Sequence, residues 1–319
     1  MRAQKIAISG LLLLAVVAVP EARAQKANFT VGFSAFSSAF MPAFVADQSG
    51  YFSQEGVGVR LVFFQSGVSL MQSVIAGEAH IGMGSVPELV TAVNAGARVR
   101  AVWGISNLMP FAVITRPHIR TFNDLKGKRI AVSSRGSLSE FLMTYVLKHK
   151  GIDSREVTYL AVGGVPTRFA AIQSGAVDAS LISSAHFEKA KQSGLNLLFM
   201  VADLIPEWPQ NVIYVREEFL NDRDAEFRSF LKAYRRGVAT AKKNPASTIA
   251  AMQKALRFDY AVAKEGYHSY VHSLPDDGAI AEKGLELSID QMAESGTIKR
   301  RFAVSDLIDY RYIHEAQKK

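Results

Sequence analysis

The chain has 319 residues, of which 49% are hydrophobic and 21% are charged, and it contains no cysteine. This composition excludes a disordered or collagen-like chain, and the lack of cysteine excludes disulfides, thiolate metal sites and the lipid anchor of bacterial lipoproteins. The formal net charge of +8 comes from scattered basic residues without the interleaved aromatic residues of a nucleic-acid platform, so no nucleic acid is expected as a partner. The length is sufficient for two domains, each with its own hydrophobic core.

Residues 1–24 have the pattern of a secretory signal peptide. Arg2 and Lys5 precede an apolar run at residues 6–19, and Ala22-Arg23-Ala24 matches the A-x-A cleavage pattern. The apolar run is shorter than the roughly 20 residues that a membrane-spanning helix needs. We therefore expect cleavage after Ala24 and export of the remaining chain to the periplasm, without a lipid anchor.

From residue 29 to residue 215, short apolar runs alternate with helical patterns, which is typical of α/β units with mostly parallel strands. The predicted strands are residues 29–33, 59–64, 80–83, 98–105, 111–115, 129–133, 157–161, 178–182, 197–201 and 211–215. The predicted helices between them are residues 38–49, 69–76, 86–95, 137–149, 167–174 and 185–193. The fold class is therefore predicted to be α/β.

After residue 215, helical periodicity replaces the strand pattern. Acidic and hydroxyl residues that favour helix N-caps divide this region into candidate helices. The predicted helix starts are Asp222 or Asp224, then Asp259, Asp276 and the pair Ser305-Asp306. We expect a helical C-terminal region.

A faint internal repeat relates residues 67–81 to residues 165–179, 98 residues later in the chain. In each copy a loop leads into a short helix, a glycine and a strand, and the glycines are Gly77 and Gly175. The repeat indicates two similar lobes. A cleft between two lobes is a preferred place for a small ligand.

Residues 46–56 run Ala-Asp-Gln-Ser-Gly-Tyr-Phe-Ser-Gln-Glu-Gly, a helix stop followed by an aromatic pair and a second glycine. This stretch resembles the A-x-x-x-G-Y-F-x-x-E-G motif of periplasmic substrate-binding proteins of ABC importers for nitrate, taurine and aliphatic sulfonates, a family related to the thiamine-pyrimidine-synthase-like proteins. Four further segments match that family in order: residues 76–82, 124–132, 171–179 and 305–309. One departure is His80, where the family carries Asp, whereas the second copy keeps Asp178.

The resemblance implies a two-lobed periplasmic-binding-protein fold of type II, with two hinge crossovers and a C-terminal helical region packed on lobe I. Lobe I would comprise residues 25–114 and 213–319, and lobe II residues 115–212, with hinge strands at 111–115 and 211–215. The implied function is capture of a small anionic organic solute (a sulfonate, taurine, a nitrate-like anion or an aromatic acid) and its delivery to an ABC permease by a monomer. The alternatives are an enzyme of the same fold that makes a pyrimidine or menaquinone precursor, and an extracytoplasmic sensing protein.

Ligands of open α/β sheets lie beyond the carboxyl ends of the strands, where helix N-termini present free N–H groups. Polar and glycine-rich loops follow several predicted strands and supply the candidate ligand-binding residues. These are Ser34, Phe36, Ser37, Ser38, Gln65, Ser66, Gly67, Ser85, Asn107, Arg135, Gly136, Ser137, Gly164, Thr167, Ser184 and His186. The strongest anion candidate is Arg135-Gly136-Ser137, although Ser137 with Glu140 also fits a capping box.

Catalytic motifs are absent from the sequence: it contains no G-x-S-x-G, no G-x-x-x-x-G-K-[ST] and no H-E-x-x-H. Glu265, His268 and His272 have a spacing that could bind zinc from one helical face, but an exposed polar face is the favoured interpretation. We therefore expect no catalytic residue, no metal and no cofactor.

Overall fold

A computed structural model describes residues 29–318 of the chain, so the predicted signal peptide lies outside the described residues. Within residues 29–318, none of the helices combines the length and the apolar character needed to cross a membrane. The described chain forms ten strands and twelve α-helices. All ten predicted strands are present, with bounds that differ by one or two residues at most ends.

The strands, numbered in chain order, are β1 Phe29–Phe33, β2 Val59–Phe63, β3 Ile81–Ser85, β4 Val99–Ser106, β5 Phe111–Thr115, β6 Arg129–Val132, β7 Thr158–Ala161, β8 Ala179–Ser183, β9 Asn196–Met200 and β10 Asn211–Arg216. The helices are α1 Met41–Gln48, α2 Tyr51–Gln54, α3 Gly67–Ala76, α4 Val86–Asn94, α5 Leu138–His149, α6 Val165–Ser174, α7 Phe187–Gln192, α8 Glu217–Lys243, α9 Pro245–Leu256, α10 Tyr260–Tyr270, α11 Glu282–Glu294 and α12 Arg311–Gln317.

The strands form two sheets with the same arrangement. The first sheet has the order β2-β1-β3-β10-β4, and the second has the order β7-β6-β8-β5-β9. In each sheet three parallel strands are followed by one antiparallel strand, which is β10 in the first sheet and β5 in the second. The predicted α/β class is therefore confirmed.

The chain passes between the sheets twice, at residues 107–110 after β4 and at residues 201–210 after β9. The predicted lobe boundary between residues 114 and 115 falls inside β5, which belongs wholly to the second sheet. The boundary predicted between residues 212 and 213 falls inside β10, which belongs wholly to the first sheet. The residues of β5 are buried along the whole strand. Burial on both faces explains why this strand is a continuous apolar run rather than an alternating one.

The helical C-terminal region packs mainly on the first sheet. Phe227 and Phe230 of α8 are fully buried in the same core as β1, and Gly237 lets α8 approach α1 closely. A Cβ atom at residue 237 would lie 2.2 Å from the carbonyl oxygen of Pro42, so a larger residue would separate the two helices. Helix α11 lies on the opposite face of this sheet, where Leu285 is fully buried.

The motif at residues 46–56 joins this helical region to the first sheet. Gly50 ends the first helical stretch in the left-handed conformation at φ 68°, and Phe52 stacks on Phe230 with ring centroids 5.2 Å apart. The Glu55 carboxylate pairs with Lys232 at 2.7 Å and with Arg236 at 3.1 Å, and hydrogen bonding from Lys232 lowers the pKa of Glu55. The motif therefore fixes α8 on the fold.

Two of the predicted helix starts in the C-terminal region are wrong, whereas Asp259 caps α10 as predicted by accepting the Val262 N–H at 2.8 Å. Helix α8 has a kink at Arg223, whose φ and ψ angles are not helical, so its second stretch begins next to the start predicted at Asp222 or Asp224, after a first stretch that begins at Glu217. The two corrections are α11, which begins at Glu282 rather than at Asp276, and α12, which begins at Arg311. Ser305-Asp306 lies in a single 3-10 turn, because short polar residues stabilise isolated turns as well as helix starts.

Candidate binding cavity between the two sheets

A cavity lies between the two sheets and receives residues from both of them. The first-sheet half contributes one acid, Glu88, and residues at or just after the ends of strands: Ser34, Ala35, Phe36, Ser37, Gln65, Gly67 and Ser85. The second-sheet half contributes Phe111, Ser133, Leu138, Ser139, Leu142, Gly164, Val165, Arg168, Leu181 and Ser183. The remaining lining residues, Gln210 and Asn211, lie where the chain enters β10. The cavity therefore has the position expected for a ligand site between two α/β units.

Arg168 in the first turn of α6 is the positively charged residue of this cavity lining. Only 3% of the residue is exposed, and its Nε and Nη1 atoms have no hydrogen-bond acceptor. Burial lowers the pKa of Arg168 to about 10, so the guanidinium remains protonated at neutral pH. A buried charge without a partner is costly, and buried polar groups are normally satisfied. The side chain is therefore arranged to receive an acceptor that the protein itself does not supply.

The start of α6 adds to this preference for an acceptor. Its N-cap is Gly164, which has no side chain with which to cap the helix, and Gly164 itself lines the cavity. The uncapped N–H groups and the positive end of the helix dipole favour a negative group at this position.

Glu88 in the first turn of α4 is the acidic residue of the lining, and it is 4% exposed. Ser85 Oγ donates to Glu88 Oε2 at 2.6 Å, and the Leu138 N–H donates to Oε1 at 3.3 Å from the other half of the protein. Burial raises the pKa of Glu88. The carboxyl lies so close to Gly67 that a Cβ atom there would be 2.2 Å from Oε1, which explains the glycine at the start of α3.

Two amide side chains of the lining also have unpaired atoms. Gln210 donates from Nε2 to the Tyr270 hydroxyl at 3.1 Å, but its Oε1 accepts no hydrogen bond. Asn211 Oδ1 likewise has no donor, and Asn211 lies opposite Ser85 in the β10–β3 pair. The first-sheet side of the cavity therefore presents unsatisfied acceptors, whereas Arg168 presents unsatisfied donors.

Seven of the predicted binding residues line the cavity: Ser34, Phe36, Ser37, Gln65, Gly67, Ser85 and Gly164. They lie at the carboxyl ends of strands or in the segments that follow them, as the geometric rule predicts. The other predicted residues lie elsewhere, for reasons that differ from loop to loop.

The segment Arg135-Gly136-Ser137 lines a separate surface groove rather than the cavity. The Arg135 side chain is 68% exposed and pairs with Glu140 at 2.7 Å, so its charge has a partner within the protein. The predicted capping box does not form, because Ser137 makes no side-chain cap bond and Glu140 instead accepts the Gly136 N–H at 2.5 Å.

Three further predicted residues have structural contacts outside the lining. Ser66 caps α3 in a reciprocal bond with Ser69, and Asn107 binds the backbone at Ala279 and Ala281 before α11. Ser38 packs against α10, where a Cβ atom at Gly266 would lie 2.0 Å from the Ser38 hydroxyl oxygen.

The remaining predicted residues are Thr167, Ser184 and His186, and none of them lines the cavity. Thr167 is exposed on α6, whereas Ser184 and His186 are buried in the 3-10 turn before α7. Burial lowers the pKa of His186 to about 4, and its ring lies 6.0 Å from that of Phe169.

Sequence reasoning missed Arg168 and Glu88 because it searched the loops only as far as the helix N-caps. Arg168 follows the N-cap Gly164 by four residues, and Glu88 follows the N-cap Ser85 by three. Helical side chains lean toward the N-terminus, so residues one turn into a helix reach the space beyond its first turn. The sequence signal that could have identified Arg168 and Glu88 is a charged residue in the first turn of a helix that follows a parallel strand.

A model of the NMT1/THI5-like family matches residues 37–248, which is more than half of the chain. The chain belongs to this family. No curated protein sequence matches the chain.

Solved structures of solute-binding proteins are similar in fold. The alkanesulfonate-binding protein SsuA from Xanthomonas axonopodis pv. citri, bound to MOPS, has 20% identity and a TM-score of 0.76, with 88% of this chain and 97% of that chain covered. The periplasmic nitrate-binding protein NrtA from Synechocystis PCC 6803 has 10% identity and a TM-score of 0.76, with 91% and 88% covered. The periplasmic aliphatic sulphonate binding protein SsuA from Escherichia coli has 20% identity and a TM-score of 0.69, with 88% and 91% covered. The predicted periplasmic-binding-protein fold is thereby confirmed.

The metal-like spacing in the C-terminal region does not produce a site. His268 lies on α10, but His272 lies beyond the end of that helix in the 3-10 turn Val271–Ser273. Among residues 29–318, no group of three or more His, Asp or Glu side chains is placed to hold a metal ion.

Proposed function

We propose that this protein is an extracytoplasmic solute-binding protein that captures a small anionic organic solute and delivers it to an ABC permease. The observation that carries the proposal is the guanidinium of Arg168, which is buried in the cavity with two nitrogen atoms that have no acceptor. A sulfonate, a carboxylate or a nitrate-like anion provides the oxygen acceptors that a guanidinium binds in its plane.

The proposed binding motion is closure of two lobes, one built on each sheet, with the connections at residues 107–110 and 201–210 as hinges. A solute drives closure only through its higher affinity for the closed form, so it must contact both lobes. Two contacts between the halves support this proposal: the Leu138 N–H bond to Glu88 at 3.3 Å and the Lys189–Asp259 ion pair at 2.9 Å.

The proposed compartment is the periplasm, and the proposed partner is a permease of the inner membrane that receives the solute from a monomeric binding protein. Support comes from the predicted signal peptide and from the names of two similar solved proteins, the periplasmic aliphatic sulphonate binding protein SsuA of Escherichia coli and the periplasmic nitrate-binding protein NrtA of Synechocystis. Family membership is consistent with this role.

Binding without chemical conversion is the proposed activity. Ser183 lines the cavity and lies near His186, which does not line it, and the distance from Ser183 Oγ to His186 Nδ1 is 3.5 Å. Burial lowers the pKa of His186 to about 4, so the imidazole is a weak base at neutral pH. This pair is therefore poorly suited to activate a nucleophile.

The test is calorimetry and thermal unfolding of the purified protein with nitrate, taurine, alkanesulfonates, arylsulfonates, aromatic carboxylates and thiamine-pyrimidine precursors. We expect selective binding of at least one anion, and ligand at a hundred times its Kd should stabilise the protein by about 2.7 kcal/mol. Arg168→Gln should weaken that binding at least about tenfold, because a charge-assisted pair is lost.

Arg135→Gln is the matched control, since Arg135 is paired at the surface and outside the cavity. It should leave the affinity unchanged. Equal binding by the Arg168→Gln variant, or no binding of any anion to folded protein, would contradict the proposal. Conversion of a bound compound, detected by mass spectrometry, would support the enzyme alternative instead.

A further inference from the structure

Side chains join the two halves of the molecule at the surface as well as inside the cavity. At the surface, Lys148 of α5 pairs with Glu294 of α11 at 2.8 Å, and Lys189 of α7 pairs with Asp259 at 2.9 Å. The four side chains are roughly half exposed, and exposed ion pairs contribute little to stability. A contact that holds the halves together must therefore be sought in the interior.

The start of α5 lies at the cavity and has no side-chain cap from its own segment. Ser137 is the N-cap residue but makes no side-chain cap bond, and the Glu140 carboxyl accepts the Gly136 N–H. The N–H groups in the first turn of a helix have no acceptor within the helix. The Leu138 N–H, the first of α5, donates instead to Oε1 of Glu88, which belongs to α4 of the first-sheet half, at 3.3 Å. Helix α5 thus receives a cap from the other half of the molecule.

Glu88 is held in the position that this cap requires. The residue is 4% exposed, and Ser85 Oγ donates to its Oε2 at 2.6 Å, which leaves Oε1 for the Leu138 N–H. Gly67 leaves room for the carboxyl, since a Cβ atom there would lie 2.2 Å from Oε1. Burial raises the pKa of Glu88, and a neutral carboxyl still accepts through its carbonyl oxygen. The cap therefore depends on the position of an oxygen atom and not on a charge.

We propose that Glu88 is a positioning residue, which caps α5 across the two halves, stabilises the closed cavity and thereby strengthens binding without contacting the solute. The proposal rests on the proposed function, because it concerns closure of the same site. In an open form, water would hydrate both the Glu88 carboxyl and the Leu138 N–H, so their bond stabilises only the closed form. The measured affinity depends on the fraction of molecules that is closed, so loss of the cap should weaken every solute by the same factor.

The acceptor is tested with Glu88→Ala and Glu88→Gln, with ethanesulfonate and benzoate as two anions of different shape. Calorimetry should show that Glu88→Ala weakens both anions by the same factor, about five- to tenfold, because one buried hydrogen bond is lost. Glu88→Gln should bind both within about twofold of wild type, since its amide oxygen can accept the Leu138 N–H and the Ser85 hydroxyl can accept from its nitrogen. Different factors for the two anions would show that Glu88 contacts the solute, and would overturn the proposal.

The donor is tested with Leu138→Pro and Leu138→Ala. Proline lacks the N–H but favours the first position of a helix, and the extended Ser137 before it, at ψ 164°, is compatible with a following proline. Both variants lose the leucine side chain, which lines the cavity, so the difference between them isolates the N–H. Leu138→Pro should bind both anions about fivefold more weakly than Leu138→Ala, and adding Glu88→Ala to Leu138→Pro should cause no further loss. This pair tests the same bond where Glu88→Ala does not fold.

Asp259→Asn is the matched control, because it changes a contact between the halves that lies at the surface. Asparagine can still cap α10, but the ion pair with Lys189 is lost. Both affinities should stay within about twofold of wild type, because the pair is exposed. A loss as large as that in Glu88→Ala would show that the interior cap has no special role, and would overturn the proposal.

A measurement without solute separates this proposal from the proposed function. Exchange of the Leu138 amide hydrogen, followed by NMR, should be about tenfold faster in Glu88→Ala than in the wild-type protein and nearly unchanged in Glu88→Gln. Equal exchange in the three proteins would overturn the proposal. Anion binding that is lost in Arg168→Gln but unchanged in Glu88→Ala would overturn this proposal alone and leave the proposed function standing. No binding of any anion in the panel would overturn both.

Discussion

The two halves of the molecule have the same strand order but differ at the helix that enters the cavity. In the internal repeat, Leu70 of α3 and Arg168 of α6 occupy equivalent positions. Leu70 is fully buried in an apolar core, whereas Arg168 is buried without an acceptor in the cavity. In the first half the residue at this position contributes to the hydrophobic core. In the second half it is a buried guanidinium whose Nε and Nη1 atoms have no acceptor.

The caps of these two helices differ in the same sense. Ser66 caps α3 and forms a reciprocal bond with Ser69, whereas Gly164 at the start of α6 has no side chain to offer. The Ser69 N–H in the first turn of α3 thus has a side-chain acceptor, whereas the start of α6 has no side-chain cap. In the proposed function, the second half would therefore provide the anion-binding end of the site.

The repeat also relates Glu88 to His186, each three residues after an equivalent serine. Ser85 Oγ bonds to the Glu88 carboxyl at 2.6 Å, and Ser183 Oγ approaches the His186 ring at 3.5 Å. The geometry is shared, but only Glu88 lines the cavity.

His80 and Asp178 show the opposite relation, in which different residues make the same bond. His80 Nδ1 accepts the Thr30 N–H at 3.0 Å, and Asp178 Oδ2 accepts the Arg129 N–H at 3.0 Å. In both halves this bond ties the start of a central strand to the residue that precedes its neighbour. The departure from the family pattern at residue 80 is therefore a replacement of one acceptor by another.

The largest effect is expected from Arg168→Leu, which gives α6 the residue that α3 has. The variant should lose about 1.5–3 kcal/mol of ligand binding and gain stability without ligand, because an unpaired buried charge is removed. Calorimetry and thermal unfolding measure the two changes. A variant that is both less stable and fully active in binding would show that the guanidinium has a structural role instead.

A smaller effect is expected from Ser66→Ala, which removes the cap that distinguishes α3 from α6. The free energy of unfolding should fall by about 1 kcal/mol, with little change in affinity, because Ser66 does not line the cavity. Gly164→Ala is the comparison, since it has no cap to lose and a Cβ there meets only Pro166 at 3.8 Å. Chemical denaturation measures both. Equal destabilisation by the two substitutions would show that the cap is not the cause.

The smallest effect is expected from His80→Asp, which makes the two halves alike. Burial and the charges of nearby arginines lower the pKa of His80 in the folded protein. As the pH falls below about 6.5, the histidine is therefore protonated in the unfolded chain before it is protonated in the folded protein. Protonation of Nδ1 in the folded protein would remove the acceptor of the Thr30 N–H. The free energy of unfolding therefore decreases with falling pH until the pH is below the pKa of His80 in the folded protein. The variant should lack this loss, which we expect to be a few tenths of a kcal/mol because the site is partly exposed.

Denaturation at pH 7 and pH 5 measures the difference between wild type and His80→Asp. The other histidines are present in both proteins, so their contributions cancel. An identical pH dependence of the two proteins would mean that the Thr30 N–H bond contributes nothing measurable.

The elements of the fold could be predicted from the sequence because their signals are local. Continuous apolar runs predicted β5 and β10, and Asp259 marked the start of α10. The starts of α11 and α12 could not be predicted in the same way. Asp276 and Asp306 are of a residue type that favours helix N-caps, but neither of them precedes a helix directly. A cap is distinguished from a turn only by what the following residues pack against.

The sequence by itself determined the α/β order, the repeat, the resemblance to a family and the loops that surround the cavity. Only the tertiary structure decided which of two arginines near a helix start is the candidate for an anion. Arg135 pairs with Glu140 of the helix that follows it and stays at the surface, whereas Arg168 is buried in the folded chain and its Nε and Nη1 atoms find no acceptor. Local pairing depends on neighbours in sequence, but burial without a partner depends on which surfaces the folded chain brings together.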